Sequence, residues 1–286
     1  MNENLNQQLL QRLLPLAREA GKLAMSMIED SSPSLKPDSS VLTQADLAVS
    51  HLVKTTLGDL FASGEHILID EEDPENSRYF KQSVLEKVPY VWAVDPIDGT
   101  RAFANRMPLF GFSLGVLKNL RPWLGVVYFP MFNELFYCDG QKSFFVKNAF
   151  TSDEKKVEIL PVDQQITRQA VFFGSDAFFK EYDWDFSFCQ VMLPSSAVVD
   201  FCWPAIGRGV GCIFDSNLWD FVGSWPICQA AGLEIRSLLT GQALEKISLD
   251  VFQGQGSRTW RLKDFYLLSS SRNFELIKNH MRPRQI

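Results

Sequence analysis

In Trp92-Ala93-Val94-Asp95-Pro96-Ile97-Asp98-Gly99-Thr100 a short apolar run passes directly into two carboxylates three positions apart, followed by glycine and threonine. The run from Tyr90 to Val94 has the make-up of a buried strand. Pro96 fixes a turn, and Gly99-Thr100 reads as the opening of a short helix. A strand that ends in acids places hard oxygen ligands at a sheet edge, a donor set suited to Mg²⁺. The N–H groups around Gly99 and Thr100 would then face an anion. Taken alone, Asp-Pro-x-Asp-Gly is equally a tight turn capped by aspartate.

Acids recur at comparable places on either side. The apolar run 66–69 ends in Asp70-Glu71-Glu72-Asp73, which by itself is a solvated turn. Thr43-Gln44-Ala45-Asp46 reads as a capping box opening a helix through Leu57. Before it, leucines and alanines from Leu9 to Ile28 at helical spacing predict an amphipathic helix ending near Asp30. Pro15 predicts a kink or a late start in that helix, and 31–38 reads as a loop. Downstream, β-prone segments at 112–117, 123–129, 134–137 and 143–146 predict an antiparallel meander. The polar stretch 147–165 marks a boundary between halves 1–150 and 151–286.

The second half alternates. Strands are expected at 170–173, 211–214, 233–236 and 265–268. Helices are expected at 196–206, from Asp220 to Ala231 with Gly232 ending it, and through His280. Such alternation indicates an α/β arrangement. Asp220 follows Trp219 at a helix start, where an N-cap aspartate is ordinary.

Composition narrows the field. The 286 residues are 46% hydrophobic and 22% charged, enough apolar side chain for a real core. A net charge of −6 does nothing to favour nucleic acid. No long apolar run or leader is evident, so a soluble cytoplasmic protein without membrane contact is expected. Five cysteines lie in apolar stretches without close pairs, as reduced core thiols do. With three histidines, any metal must be held by carboxylates. Asp95 onward does not have the alternating ligands of an EF-hand. Asp183-Trp184-Asp185-Phe186-Ser187 superficially resembles the aspartyl nucleophile motif of haloacid dehalogenase-like phosphatases, but it follows charged Lys180-Glu181 instead of a buried strand.

Asp46, Glu71-Glu72, Asp95-Pro96-Ile97-Asp98-Gly99-Thr100 and Trp219-Asp220, taken together, resemble the motif set of the inositol monophosphatase family. These are Mg²⁺-dependent, typically lithium-sensitive phosphatases related to fructose-1,6-bisphosphatase and the 3′(2′),5′-bisphosphate nucleotide phosphatases. Leu16-Ala17-Arg18-Glu19-Ala20-Gly21, the loop 36–46, Pro108-Leu109-Phe110-Gly111-Phe112-Ser113-Leu114-Gly115-Val116 and Gly125-Val126-Val127-Tyr128 extend the similarity. It runs from about residue 16 to the C-terminus and is weakest between 147 and 192. The chain departs from the family pattern at Asp70, where glycine is common, at Val222 and at Gln229-Ala230-Ala231-Gly232. Inositol-specific members carry a glutamate seven residues before the Trp-Asp aspartate; Ile213 stands there, with Asp215 two residues closer.

The resemblance implies an α+β / α/β fold. This would be a layered α-β-α-β-α sandwich with an antiparallel N-terminal sheet and a smaller C-terminal α/β half contributing Asp220. It implies two to three Mg²⁺ ions. Glu71, Asp95 and the Ile97 carbonyl would hold one, Asp95, Asp98 and Asp220 another, and Glu71 would assist a third, looser ion. Thr100, hydrogen-bonded to Asp46, would orient the attacking water; with Glu71 these form the expected catalytic set. Gly99 and Thr100 would bind phosphate, with Ser175, Ser196 and Ala197 lining the sugar pocket and Asp215 taking a hydroxyl. Lys36, Arg101, Arg106 and Arg208 are candidates for a second phosphate, or ordinary surface. The expected substrate is a small phosphorylated metabolite, inositol- or sugar-phosphate-like, and the expected assembly a homodimer. A bisphosphatase or a non-catalytic ligand-binding relative are the alternatives.

Overall fold

The computed structural model describes residues 3–29, 33–36, 41–162 and 164–284. Two helices open the chain, α1 (Glu3–Met27) and α2 (Gln44–Phe61). Helix α1 runs through Pro15 and begins well before it, so the proline delays nothing. Thr43 caps α2 with the expected box to Asp46. Helix α1 ends at Met27, just short of the expected end near Asp30, which itself lies outside the described residues. Of the expected 31–38 loop, 33–36 are described, and Ser34–Leu35 there form a short strand paired antiparallel with Val41–Leu42, which corrects the reading of the whole stretch as loop.

A seven-stranded sheet follows in sequential order. Its strands are β1 (His66–Asp70), β2 (Tyr90–Asp98), β3 (Gly111–Lys118), β4 (Arg121–Phe129), β5 (Glu134–Cys138), β6 (Ser143–Lys147) and β7 (Lys155–Glu158). The β2–β7 meander is antiparallel, as the short connections require. The β1–β2 pair is parallel, which corrects the expectation of a wholly antiparallel sheet. Its connection from Glu71 to Pro89, with a 3₁₀ turn and a short helix, is long enough for a crossover. Strand β7 lies within the polar stretch 147–165 and adds a seventh strand there.

A five-stranded mixed sheet runs β9-β8-β10-β12-β11. It is built from β8 (Val171–Phe173), β9 (Gln190–Met192), β10 (Cys212–Phe214), β11 (Leu233–Ser237) and β12 (Tyr266–Ser270). Helices α1 and α2 cover one face of the large sheet. Between the sheets lie α4 (Ala197–Ala205), α5 (Leu218–Val222) and α6 (Trp225–Ala230), and α7 (Ser271–Lys278) covers β12 from outside. The short α3 (Thr100–Ala104) follows β2. One helix expected over 220–231 is thus two, α5 and α6, parted at Gly223-Ser224. The layers read α-β-α-β-α. All five cysteines are buried and unpaired. Among the described residues no helix is long and apolar enough to cross a membrane.

Glycine sets how closely the middle helices approach the large sheet. A Cβ on Gly115 of β3 would lie 2.4 Å from the Val222 carbonyl, and one on Gly125 of β4 would lie 2.0 Å from the Gly223 oxygen. Backbone therefore rests on backbone here, and this contact holds the end of α5, with Asp220 on it, down against β2 and β3. Gly125→Ala is expected to destabilise the protein by about 1–3 kcal/mol through overpacking. Gly58→Ala, mid-helix in α2 with open space around it, is expected to stabilise by about 0.5–1 kcal/mol. Denaturant midpoints of the two variants check the contrast, and equal shifts would contradict it.

Candidate active site

Asp95 and Asp98 end β2, and both are buried. On a regular strand residues three apart face opposite sides of the sheet. Here Asp95 pairs with Ser113 while Asp98 pairs with Gly111, so three steps on β2 match two on β3. The extra residue of this bulge, formed around Pro96, restores the parity and brings both carboxylates to one place. Gly99 then adopts φ +81°, and a Cβ there would lie 2.6 Å from the Leu109 carbonyl. Only glycine fits this turn into α3.

Two more acids come from helix starts built alike. Asp46 is the third residue of α2, and its Oδ2 accepts from the Thr43 N–H at 2.8 Å and the Thr43 hydroxyl at 2.6 Å. Asp220 is the third residue of α5, and its Oδ2 accepts from the Asn217 N–H at 2.7 Å. It is thus the reciprocating acid of a capping box, with Asn217 at the N-cap. Each box fixes one carboxylate oxygen and leaves the other for the site. Asp46 Oδ1 lies 3.1 Å from the Thr100 hydroxyl, which is also 2.9 Å from the Ile97 carbonyl and donates to one of them at a time. Asp98 follows the same rule: its Oδ1 accepts from Ser196 at 2.5 Å and from the Val198 N–H at 3.1 Å.

Oxygens of Asp95, Asp98 and Asp220 converge within 4.8 Å of one another. They line a cleft of about 420 Å³ together with Glu71, Gly99, Thr100, Ser175, Ser196 and Ala197. Glu71 reaches this cleft but is held at its rim by Lys36, whose ammonium lies 2.8 Å from Glu71 and 2.7 Å from Glu72. Asp70 turns away to Ser50 and to Lys54 at 2.7 Å, anchoring β1 to α2. Asp215 does not line the cleft; its carboxylate is gripped by Arg261 at 2.6 and 3.1 Å, and Arg261 itself forms part of the wall. Ile213 is buried in β10 within the core of the second half. Of the basic candidates, Arg106 pairs with Glu29 and Arg208 grips Glu134 with two bonds, while Arg101 remains on the cleft. Asp183 and Asp185 are tied to Arg284 and His280, away from the cleft.

The electrostatics follow from burying like charges together. Burial, then the charges of Glu71, Asp98 and Asp220, push Asp95 well above the ordinary carboxylate range. Burial, then Glu71 and Asp98, do the same to Asp220. Asp98 is raised by burial to about 7 despite its bonds from Ser196 and Val198. Burial lifts Asp46 to about 6 against the pull of Thr43. Glu72 rises to about 8 through burial and the charge of Glu71. Burial would depress Lys36, but the two glutamates outweigh it and keep it protonated. Asp95 Oδ1 is buried without a hydrogen-bond partner. An orphaned oxygen among converging acids is what a hard divalent cation satisfies, and the all-oxygen donor set fits one.

Some of the site has no motif to announce it. Asp176, Ser195, Asp200 and Arg261 line the cleft. Asp200, an acid inside the apolar run 197–205, is the one with a visible signal. Ser195 takes φ +57°, an unfavourable angle for a residue with a side chain, in the turn that presents Ser196.

Comparison with known proteins agrees with this geometry. Residues 5–269 match the model of the inositol monophosphatase family. The 3′(2′),5′-bisphosphate nucleotidase CysQ of Escherichia coli K12 is 26% identical over 255 residues, 87% of this chain and 98% of CysQ. The fold superposes on the extragenic suppressor protein suhB of Bartonella henselae with TM-score 0.72 and 18% identity, covering 96% of this chain and 98% of that one. It also superposes on an IMPase/NADP phosphatase complexed with Mg²⁺ and phosphate, with TM-score 0.71, 16% identity and coverage of 96% and 95%. A match across nearly the whole length, on a site of this construction, means that the chain belongs to the inositol monophosphatase family of metal-dependent phosphoric monoester hydrolases.

Proposed function

We propose that this protein hydrolyses a small phosphomonoester with a polyol or sugar-like alcohol, using two to three Mg²⁺ ions. The observation that carries the reading is the convergence of Asp95, Asp98 and Asp220 oxygens within 4.8 Å, with Asp95 and Asp98 buried, Asp220 partly so, and one oxygen of Asp95 orphaned. Asp95, Asp98, Asp220, Glu71 and the Ile97 carbonyl are the residues that would hold the ions. Bound Mg²⁺ supplies Lewis-acid stabilisation of the phosphoryl charge and makes a water nucleophilic near neutral pH.

The chain's own residues supply positioning. Asp46, locked by its capping box, accepts a hydrogen bond from the Thr100 hydroxyl. A Thr100 that donates to Asp46 has its lone pairs free to accept from water, which fixes that water's orientation for in-line attack. The N–H groups of Gly99 and Thr100, on the same cleft, would bind the phosphate. Ser196, spent on Asp98, keeps that carboxylate from rotating out of the cluster. Little covalent chemistry is required of the protein in phosphoryl transfer beyond such placement. Lys36 between Glu71 and Glu72 offsets part of the acidic charge at the rim.

A second reading, a bisphosphatase, is favoured by Arg261 and Arg101 on the cleft wall and by the name of the E. coli relative. Mg²⁺-dependent phosphate release across inositol, sugar, histidinol and 3′,5′-bisphosphate nucleotide substrates separates the two. Turnover of polyol or sugar monophosphates supports the first, and turnover confined to bisphosphates supports the second.

Asp95→Asn is expected to lower Mg²⁺-dependent kcat/KM by roughly 10²–10³-fold or more while the circular dichroism spectrum stays native. Retained Mg²⁺-dependent turnover would contradict the assignment. The raised carboxylates also give a pH dependence of stability. Asp46, Asp98 and Glu72 bind protons more tightly when folded, at about 6, 7 and 8, than the unfolded chain does at about 4. The folded state therefore holds more protons between those values, and in a chelator Tm should fall as pH rises from about 4 to about 8. Saturating Mg²⁺ should remove most of that slope. A metal-free Tm that is flat or climbs across this window would sink the account of the acids.

A further inference from the structure

Among the described residues few buried side-chain oxygens have no hydrogen-bond partner, and two of them are carboxylates, Asp95 and Asp200. Asp95 is explained by the cation its cluster would hold. Asp200 is not. It lies on α4, 8% exposed, among the buried Val198, Val199, Phe201 and Cys202. Its Oδ1 is buried with no hydrogen-bond partner, yet it lines the same cleft as the metal acids. Its oxygens are not part of the group that converges within 4.8 Å.

A buried carboxyl without a partner costs about 1–3 kcal/mol or more, and an apolar side chain of similar volume would avoid that cost. A first-turn acid can be favoured by the helix dipole, but that benefit is available to an acid in solvent and does not require burial. A group left unsatisfied in the folded protein, on the wall of a ligand cleft, is satisfied when ligand arrives. The cleft wall shared with Asp200 shows what that ligand brings. It carries the hydroxyls of Ser175, Ser195 and Ser196 and the acid Asp176. Arg261, on the same wall, is already engaged by Asp215 at 2.6 and 3.1 Å. A ligand hydroxyl would meet an acceptor here.

We infer that Asp200 is a specificity residue that accepts a hydrogen bond from a hydroxyl of the alcohol half of the substrate, so that the cleft selects polyol phosphates over phosphate esters lacking that donor. This rests on the phosphomonoesterase reading above and names the residue by which the alcohol is recognised.

The test compares wild type, Asp200→Asn and Asp200→Leu on a polyol panel (inositol 1-phosphate, glycerol 2-phosphate, glucitol 6-phosphate) and on p-nitrophenyl phosphate, whose alcohol offers no aliphatic hydroxyl. Thermal unfolding of each variant accompanies the kinetics. In Asp200→Leu the ratio of kcat/KM for the best polyol phosphate to that for p-nitrophenyl phosphate is expected to fall roughly 10- to 100-fold, mainly through KM. Its Tm is expected to match or exceed wild type, since an unsatisfied group has been removed. Asp200→Asn, which keeps one acceptor, should fall between. Equal changes on both substrate types, an unchanged ratio, or a lowered Tm in both variants would overturn the inference and leave Asp200 a structural acid. Wild type active on p-nitrophenyl phosphate but on none of the polyol phosphates would also overturn it, with the phosphatase reading intact. No Mg²⁺-dependent release from any of these would overturn that reading and this inference together.

Discussion

Carboxylates held together out of water repel one another, and this protein is organised around keeping them there. Asp46, Asp95, Asp98 and Asp220 come from three separate elements and are buried or nearly so. Desolvation and mutual repulsion both oppose such an arrangement, so the fold must hold the acids against their own preference. It does so by a repeated device: one oxygen of each of Asp46, Asp98 and Asp220 is fixed by N–H or hydroxyl donors, from the same kind of capping box in Asp46 and Asp220 and from the start of α4 in Asp98, and the other faces the site. These donors stabilise each carboxylate enough to remain in the fold, while its other oxygen stays turned toward the cluster.

The scaffold follows from that requirement. The bulge at Pro96 aligns two acids of one strand. The glycines on β3 and β4 let the Val222-Gly223 backbone lie directly on the sheet, which brings a helix from the second half close enough to deliver Asp220. The Asp98 bonds to Ser196 and Val198 tie the end of β2 to the start of α4. The first two are set by the course and close approach of main chains, and the third by side-chain hydrogen bonds of Asp98.

Much of this was legible in the residues. Local signals with a short physical range were readable: the Thr43 capping box, the strand before Asp95, the helix opening at Gly99-Thr100 and the β3–β6 meander all depend on neighbours within a few positions. The gathering of Asp46, Glu71, Asp95, Asp98 and Asp220 was legible only through resemblance, because nothing local says that distant acids meet. What could not be read was pairing at long range. Lys36 bridging Glu71 and Glu72, and Arg261 taking Asp215 away from the cleft, are chosen by tertiary geometry. The parallel β1–β2 pair and the break between α5 and α6 were hidden for the same reason: they are decided by what each segment packs against. Asp200 is intermediate, since an acid in an apolar helix is visible as an anomaly without showing its use.

The central claim is that Asp95, Asp98 and Asp220 form one cation site. Crystals grown with Mn²⁺ in place of Mg²⁺ test it through anomalous difference density. The account predicts peaks within coordination distance of the open oxygens of Asp95, Asp98 and Asp220, lost in Asp95→Asn. Density absent there, or bound elsewhere with those carboxylates pointing apart, would contradict it.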